Sequence, residues 1–140
     1  GYSAAFYGLG PTVDPRVGLL AGEAGEGFIA VYWAYYPDSD EPGPVLYQEL
    51  CEKNNVPAKM RGLYHYYGFA TAHVLVEGLR KAGKYPTRKR MMKGLETLHN
   101  WESGVFPPMT YNRNDHAGVE SVIILQLQGG KQVAITDWRN

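Results

Sequence analysis

The stretch from about Tyr64 to Ala82 constrains this chain more than any other. Tyr67, Thr71, Val74, Leu75 and Leu79 recur along one stripe at helical spacing, and Gly83 stands where a helix C′ residue belongs. An apolar stripe of that length must be buried against another layer, so the rest of the sequence has to supply one. Two further helical patterns follow the same logic. Leu46, Tyr47, Leu50, Cys51 and Asn54 share one side, with Glu49, Glu52 and Lys53 opposite, until Asn54, Asn55 and Pro57 stop the pattern. Thr87 is placed to cap a third helix, in which Met91, Leu95 and Leu98 are spaced for core contact while Arg88, Lys89, Arg90 and Lys93 face water.

Strand patterns lie on either side of these helices. Ala4 to Tyr7 reads as a short buried strand that breaks into the glycine-rich loop Gly8-Leu9-Gly10-Pro11. Asp14 and Pro15 form an N-cap and N1 pair, and Val17, Leu20 and Ala21 lie on one side of a short helix that Gly22 or Gly25 ends. Phe28 to Trp33 has the length and the β-branched and aromatic content of a strand buried on both faces. Tyr36 to Pro44 is turn chemistry throughout, an exposed connection. Pro107-Pro108 forbids helix, Asn112-Arg113-Asn114 marks a loop, and the strands Val122 to Leu127 and Gln132 to Asp137, joined through Gly129-Gly130, read as a β-hairpin. The fold class is therefore α/β, with three main helices, short strands and a C-terminal hairpin.

Composition removes several classes of function. The 140 residues suffice for one core, and the 14 basic and 14 acidic side chains cancel, leaving no overall field to attract nucleic acid or an anionic membrane. The longest nearly apolar run, Phe28 to Tyr36, is about half of the roughly 20 residues that a membrane-spanning helix requires. Cys51 is the single cysteine, which excludes an internal disulfide and a multi-cysteine zinc site.

No motif in the sequence points to bond-making chemistry or calls for a metal or cofactor. His65, His73, His99 and His116 lack the i, i+4 spacing of a ligand pair, and Asp115 and His116 are adjacent residues whose side chains point apart. Ser3, Ser39, Ser103 and Ser121 lack a nucleophile elbow, and the glycines from Gly8 to Gly10 make neither a P-loop nor a dinucleotide fingerprint. Cys51, on an apolar helix face, reads as an inert buried thiol, and Arg88-Lys89-Arg90 as a solvated first helical turn. What remains is the aromatic cluster Tyr64-His65-Tyr66-Tyr67-Gly68-Phe69. Its side chains point all round a helix axis, so some fill the core while others face a cleft or partner.

Four stretches in this order resemble the later part of type I periplasmic solute-binding proteins, the branched-chain amino acid binding family of ABC importers. They are Phe6-Tyr7-Gly8, the run Ala21-Gly22-Glu23-Ala24-Gly25-Glu26-Gly27-Phe28, the helix from Phe69 to Gly83, and Met91 to Leu98. The tail from Pro107 to Tyr111, with Asp115-His116-Ala117-Gly118 and the last hairpin, is similar to one subgroup of that family. The resemblance implies a two-lobe α/β fold closing on a small-molecule solute, of which this sequence is the C-terminal segment. Residues 1–31 and 106–140 would supply second-lobe elements and residues 32–105 first-lobe helices, with most of the first lobe lying upstream.

By the same resemblance the full-length protein is extracytoplasmic, works with an ABC permease, needs no cofactor and makes no bond. The alternative is a ligand-sensing domain of a regulator, or an enzyme, on a similar α/β segment. The expected ligand-binding residues are Tyr7, Gly8, Leu9, His65, Tyr66 and Phe69. Amino-acid binders of the family place an acidic residue just after the first strand's glycine, to pair with the ligand's ammonium. The matching Leu9-Gly10-Pro11 has no carboxylate, which counts against an ordinary α-amino acid. Phe69 stands where the family often has a cleft tyrosine, and with Tyr66, His65 and Tyr7 near it the resemblance implies a flat or apolar carboxylic acid over a zwitterion. A segment lacking its upstream portion exposes surface, so self-association of the isolated chain is expected.

Overall fold

Parallel pairing of two short strands across a helical crossover begins the fold. The computed structural model describes residues 4–140, so Ser3 lies outside the described residues. In chain order the elements are β1 (Tyr7–Leu9), α1 (Pro15–Ala21), β2 (Ile29–Tyr32), α2 (Pro42–Lys53), α3 (Leu63–Ala82), α4 (Arg88–Leu95), β3 (Thr110–Asn112), β4 (Asp115–Gly118), β5 (Ile123–Gln128) and β6 (Lys131–Ala134). The main sheet has the order β1-β2-β5-β6. Tyr7, Gly8 and Leu9 run parallel to Ile29, Ala30 and Val31, while β5 is antiparallel to both β2 and β6. The β5–β6 turn uses Gly129 and Gly130 at φ of 58° and 74°, the left-handed backbone that a tight hairpin turn demands and that glycine adopts without strain.

β1 differs from its sequence expectation in both place and burial. The strand starts at Tyr7 and continues through Gly8. Gly8 fits because a Cβ there would stand 2.5 Å from the Thr12 hydroxyl, which itself donates to the Leu9 carbonyl. On the face opposite Gly8 this edge strand is uncovered: Tyr7 and Leu9 are 76% and 67% exposed. β2 is likewise covered on one face only. Ala30 and Tyr32 are buried, whereas Val31 points outward. In α1 the expected apolar side does not pack, for Leu20 is 88% exposed. The contact is made instead by Gly18, whose missing side chain makes room for the methyls of Leu127.

Helix termini follow their sequence signals closely. Asp14 caps α1 by accepting from the Arg16 amide at 2.9 Å, and Thr87 caps α4 by accepting from Arg90 at 3.2 Å. Gly83, at φ 79°, closes α3. α2 begins at Pro42, inside the segment expected to be an open connection, because a proline in the first helical turn gives up only an N–H that would be unpaired there anyway.

The buried face of α3 is not the stripe of large side chains. Leu63, Tyr66, Ala70, Gly78 and Ala82 are buried, while Thr71, Leu75 and Leu79 stay exposed. Small residues decide this. A Cβ at Gly78 would lie 3.0 Å from Leu95, and one at Gly94 would lie 2.6 Å from the Lys81 side chain, so α3 and α4 pack through a notch that glycine opens. Leu63 and Tyr66 join Tyr47 and Cys51 of α2 with Tyr32, Leu125 and Leu127 of the sheet in one core. The segment expected to be a loop around Asn112-Arg113-Asn114 forms the small β3–β4 hairpin. It pairs Thr110 with Gly118 and Asn112 with Asp115, around a turn that the Asn112 side chain holds by accepting from Asn114 and Asp115.

Candidate functional site

The carboxyl ends of the parallel strands β1 and β2 lie side by side, at the edge where α/β sheets most often hold a ligand. β1 passes there into a tight turn over Gly10–Val13, and β2 into Trp33. The first turns of α3 face both. Gly10 is pressed so closely against this wall that a Cβ would meet the Tyr32 ring at 2.8 Å and the Tyr67 hydroxyl at 3.0 Å. Tyr67 stacks on Trp33 at 5.6 Å and on Tyr32 at 6.0 Å, and meets Tyr64 edge-on at 6.3 Å. The result is a continuous aromatic wall whose outer members, Trp33 and Tyr64, reach solvent.

Within this wall the hydroxyls of Tyr32 and Tyr67 are buried and make no hydrogen bond among the described residues. Burial first, then the neighbouring tyrosines, pushes the Tyr32 phenol far above its ordinary range, and burial raises Tyr67 too, so both are neutral hydrogen-bonding groups. Beyond Trp33 the wall continues along Thr71, Val74 and Leu75 as an apolar groove of about 490 Å³, closed on its far side by Leu95 and Met109. Thr71, Val74 and Leu75 of the sequence stripe on α3 thus line this groove, while Tyr67 packs against the core.

The residues expected from sequence fall into two groups. Tyr7, Gly8 and Leu9 lie on β1 at the sheet edge, with Tyr7 and Leu9 exposed and Gly8 turned toward Thr12. His65, Tyr66 and Phe69 gather on the α2 side of α3 around Tyr47. Tyr47 Oη lies 2.9 Å from His65 Nδ1, and its ring sits 5.1 Å from Tyr66 and 5.5 Å from Phe69. Tyr66 is wholly buried there, and burial, then Tyr47, raises its phenol. Trp33, Tyr64 and Tyr67 of the aromatic wall were not among the expected ligand-binding residues, although Tyr64 and Tyr67 belong to the aromatic cluster noted in the sequence. Their i, i+3 spacing is the available signal for Tyr64 and Tyr67, which it places on one helix face.

Other candidate groups are engaged elsewhere. His116 pairs through Nε2 with Glu96 Oε1 at 3.2 Å, while Asp115 accepts from the Ala117 amide, so the adjacent pair does not act together. Cys51 is buried. Among the described residues no group of three or more His, Cys, Asp or Glu is arranged to hold a metal, and no helix is long and apolar enough to cross a membrane. Asp14 is the nearest carboxylate after β1. It is 4% exposed and already accepts from Arg16 Nε at 3.0 Å, Arg16 Nη2 at 2.8 Å and the Leu63 amide at 2.9 Å.

This arrangement of parallel strands and helical crossover is shared with proteins of known structure. The family model described as periplasmic binding protein matches residues 1–132. The chain belongs to that family. A branched-chain amino acid ABC transporter from Thermus thermophilus, crystallised with valine, superposes on 90% of this chain with a TM-score of 0.82 at 25% identity, over 36% of its own length. A possible leucine/isoleucine/valine-binding protein from Rhodopirellula baltica SH 1 covers 96% of the chain at TM-score 0.80 and 18% identity, over 36% of its own length. A substrate-binding periplasmic protein from Ralstonia solanacearum covers 98% at TM-score 0.70 and 22% identity, over 39% of its length. The chain therefore spans little more than a third of these relatives and is a segment of the type I periplasmic binding fold. No curated protein sequence matches it.

Proposed function

We propose that this chain is the C-terminal segment of the extracytoplasmic solute-binding component of an ABC importer, which closes two lobes on a small carboxylate-type or aromatic solute and makes no bond. The observation that carries the reading is the aromatic wall of Trp33, Tyr64 and Tyr67 at the carboxyl ends of β1 and β2. In the proposed cleft the β1 edge, with Tyr7, Gly8 and Leu9, forms one side and Tyr64 and Tyr67 the other. His65, Tyr66 and Phe69 are packed behind them against α2. The absence of a carboxylate in Leu9-Gly10-Pro11, together with the full engagement of Asp14, leaves no anion on this side of the cleft to hold an ammonium group. A flat or apolar acid suits such a wall better than a zwitterion.

Residues 1–31 and 106–140 are assigned to the second lobe and residues 32–105 to the first. The joining of β1 and β2 with β5 and β6 in one sheet, with α2 to α4 inserted between them, supports that division in chain order. In space, Tyr47, Leu63 and Tyr66 of the inserted helices share a core with Leu125 and Leu127 of that sheet. The permease of the importer is the partner of the full-length protein. The bare edge of β1 and the exposed Leu19 and Leu20 of α1 support self-association of the isolated segment. A compact monomer in light scattering would count against that.

Calorimetry on the full-length protein with benzoate, phenylacetate and leucine tests the solute reading. The aromatic acids are expected to bind more tightly than leucine. Tight binding of leucine alone overturns the assignment.

A further inference from the structure

Helix α3 has no cap of its own. Its N-cap residue is Gly62, which has no side chain, yet the first amide of the helix, Leu63 N, is satisfied at 2.9 Å by Asp14, forty-nine residues upstream. The same carboxylate caps α1 through the Arg16 amide. One buried side chain thus closes two helices that belong to different parts of the chain. Gly62 is glycine for a related reason: a Cβ there would fall inside the Arg16 guanidinium, which lies against Gly62 while donating from Nε and Nη2 to Asp14. Arg16 occupies the space where a local capping side chain would sit, and the cap comes instead from the segment that follows β1.

The position of this clasp gives it a consequence for the site. Asp14 directly follows the Gly10–Val13 turn, whose Gly10 lies against Tyr32 and Tyr67, and Leu63 directly precedes Tyr64 of the wall. We infer that Asp14, steadied by Arg16, is a positioning residue of the cleft: it fixes the first turn of α3, and with it Tyr64 and Tyr67, against the turn that follows β1. This rests on the solute-binding reading above, and under the lobe assignment proposed there the clasp joins the two lobes at one of their crossings. It is held by charge-assisted hydrogen bonds to a carboxylate almost excluded from water, so its geometry is tight and directional.

Two readouts test this independently of the solute. The first is amide exchange at Leu63 and Tyr64. The second is fluorescence of Trp33, which stacks on Tyr67, in a Trp101→Phe/Trp138→Phe background. Asp14→Asn is expected to speed Leu63 exchange about tenfold and to shift the Trp33 emission. Thr87→Ala, which removes the cap of α4 beyond the far end of α3, should do neither beyond its global loss of stability. Equal local effects from Thr87→Ala, or none from Asp14→Asn, overturn the inference.

A third variant, Asp14→Ala/Arg16→Ala/Gly62→Ser, separates capping from positioning, because the introduced serine can cap α3 locally but cannot tie it to the β1 turn. Slow Leu63 exchange with Trp33 emission still shifted supports positioning, whereas recovery of both reduces Asp14 to a helix cap. In the full-length protein the affinity for the tightest of benzoate, phenylacetate and leucine should fall about tenfold in Asp14→Asn, the equivalent of one lost cap. An unchanged affinity overturns the positioning role. If the wild-type protein binds none of the three, the solute reading fails, and the clasp stands or falls on the exchange and fluorescence results.

Discussion

Replacing Gly18 by alanine should destabilise the wild-type chain and stabilise a Leu127→Ala variant. Leu127 is fully buried on β5, and its methyls occupy the notch left by Gly18 in α1: a Cβ at Gly18 would stand 2.8 Å from one methyl and 3.3 Å from the other. In the wild type, alanine gains about 1 kcal/mol of helix propensity and loses about 1–3 kcal/mol to overpacking. The net is a loss of about 1 kcal/mol. Leu127→Ala alone leaves a cavity and costs about 3 kcal/mol. Once the leucine is gone the new methyl enters that space, so overpacking vanishes and the propensity gain is joined by about 0.8 kcal/mol for the buried methyl. Gly18→Ala should then recover between about 1 and 2 kcal/mol, a coupling between the sites of roughly 2–3 kcal/mol. Urea unfolding of the four chains, followed by far-ultraviolet ellipticity, measures it. If Gly18→Ala lowers stability as much in the Leu127→Ala background as in the wild type, the notch is not what sets this contact.

Three further outcomes follow from single groups. Burial alone would raise the Asp14 carboxyl, but the hydrogen bonds from Arg16 and Leu63 outweigh it and hold the group below its ordinary value. Its contribution is therefore complete above about pH 4, the unfolded value, and is lost as pH falls through the folded one. Thermal melts carried from neutral into acid pH should show a slope that Asp14→Asn removes. Tyr32, Tyr47, Tyr66 and Tyr67 are all raised, chiefly by burial. Their contribution to stability is accordingly flat below about pH 10 and falls above it, so the tyrosinate absorbance of these four should rise together with unfolding and not before it. Thr87→Ala removes the side chain that caps α4 and should cost about 0.5–1 kcal/mol in urea unfolding, with no effect on the α3 amides near Leu63.

Backbone signals were legible in the sequence, and burial was much less so. Asp14-Pro15, Thr87, Gly83 and Gly129-Gly130 each act through the few residues around them, and each sits where local chemistry puts it. Burial depends on what covers a face. β1 and the outer face of β2 have strand composition without cover, so their apolar residues stay in water. α3 shows the same limit in another form. Its large side chains suggested one stripe, but close helix packing at Gly78 and Gly94 selected the face with small residues, an outcome that depends on the neighbouring helix and leaves no mark in the period of α3 itself.

The aromatic cluster at the start of α3 shows how far the site could be read. Six residues that surround a helix axis must divide among core, support and cleft, and composition alone does not assign them. Contact with α2 settles the division here. Tyr47 takes His65, Tyr66 and Phe69, leaving Tyr64 and Tyr67 to Trp33 and Gly10. The two groups should separate on mutation in the full-length protein. Tyr64→Ala removes a side chain that is 69% exposed, so it should leave stability within about 0.5 kcal/mol while weakening the aromatic acids about tenfold, the worth of one stacking contact. Phe69→Ala empties space beside Tyr47 and Tyr66 and should cost about 3 kcal/mol in unfolding with a smaller effect on affinity. Calorimetry and urea unfolding on the same two variants decide between these roles. The reverse pattern, an affinity loss confined to Phe69→Ala, would move the cleft to the α2 side of α3 and leave the exposed aromatic wall without a ligand.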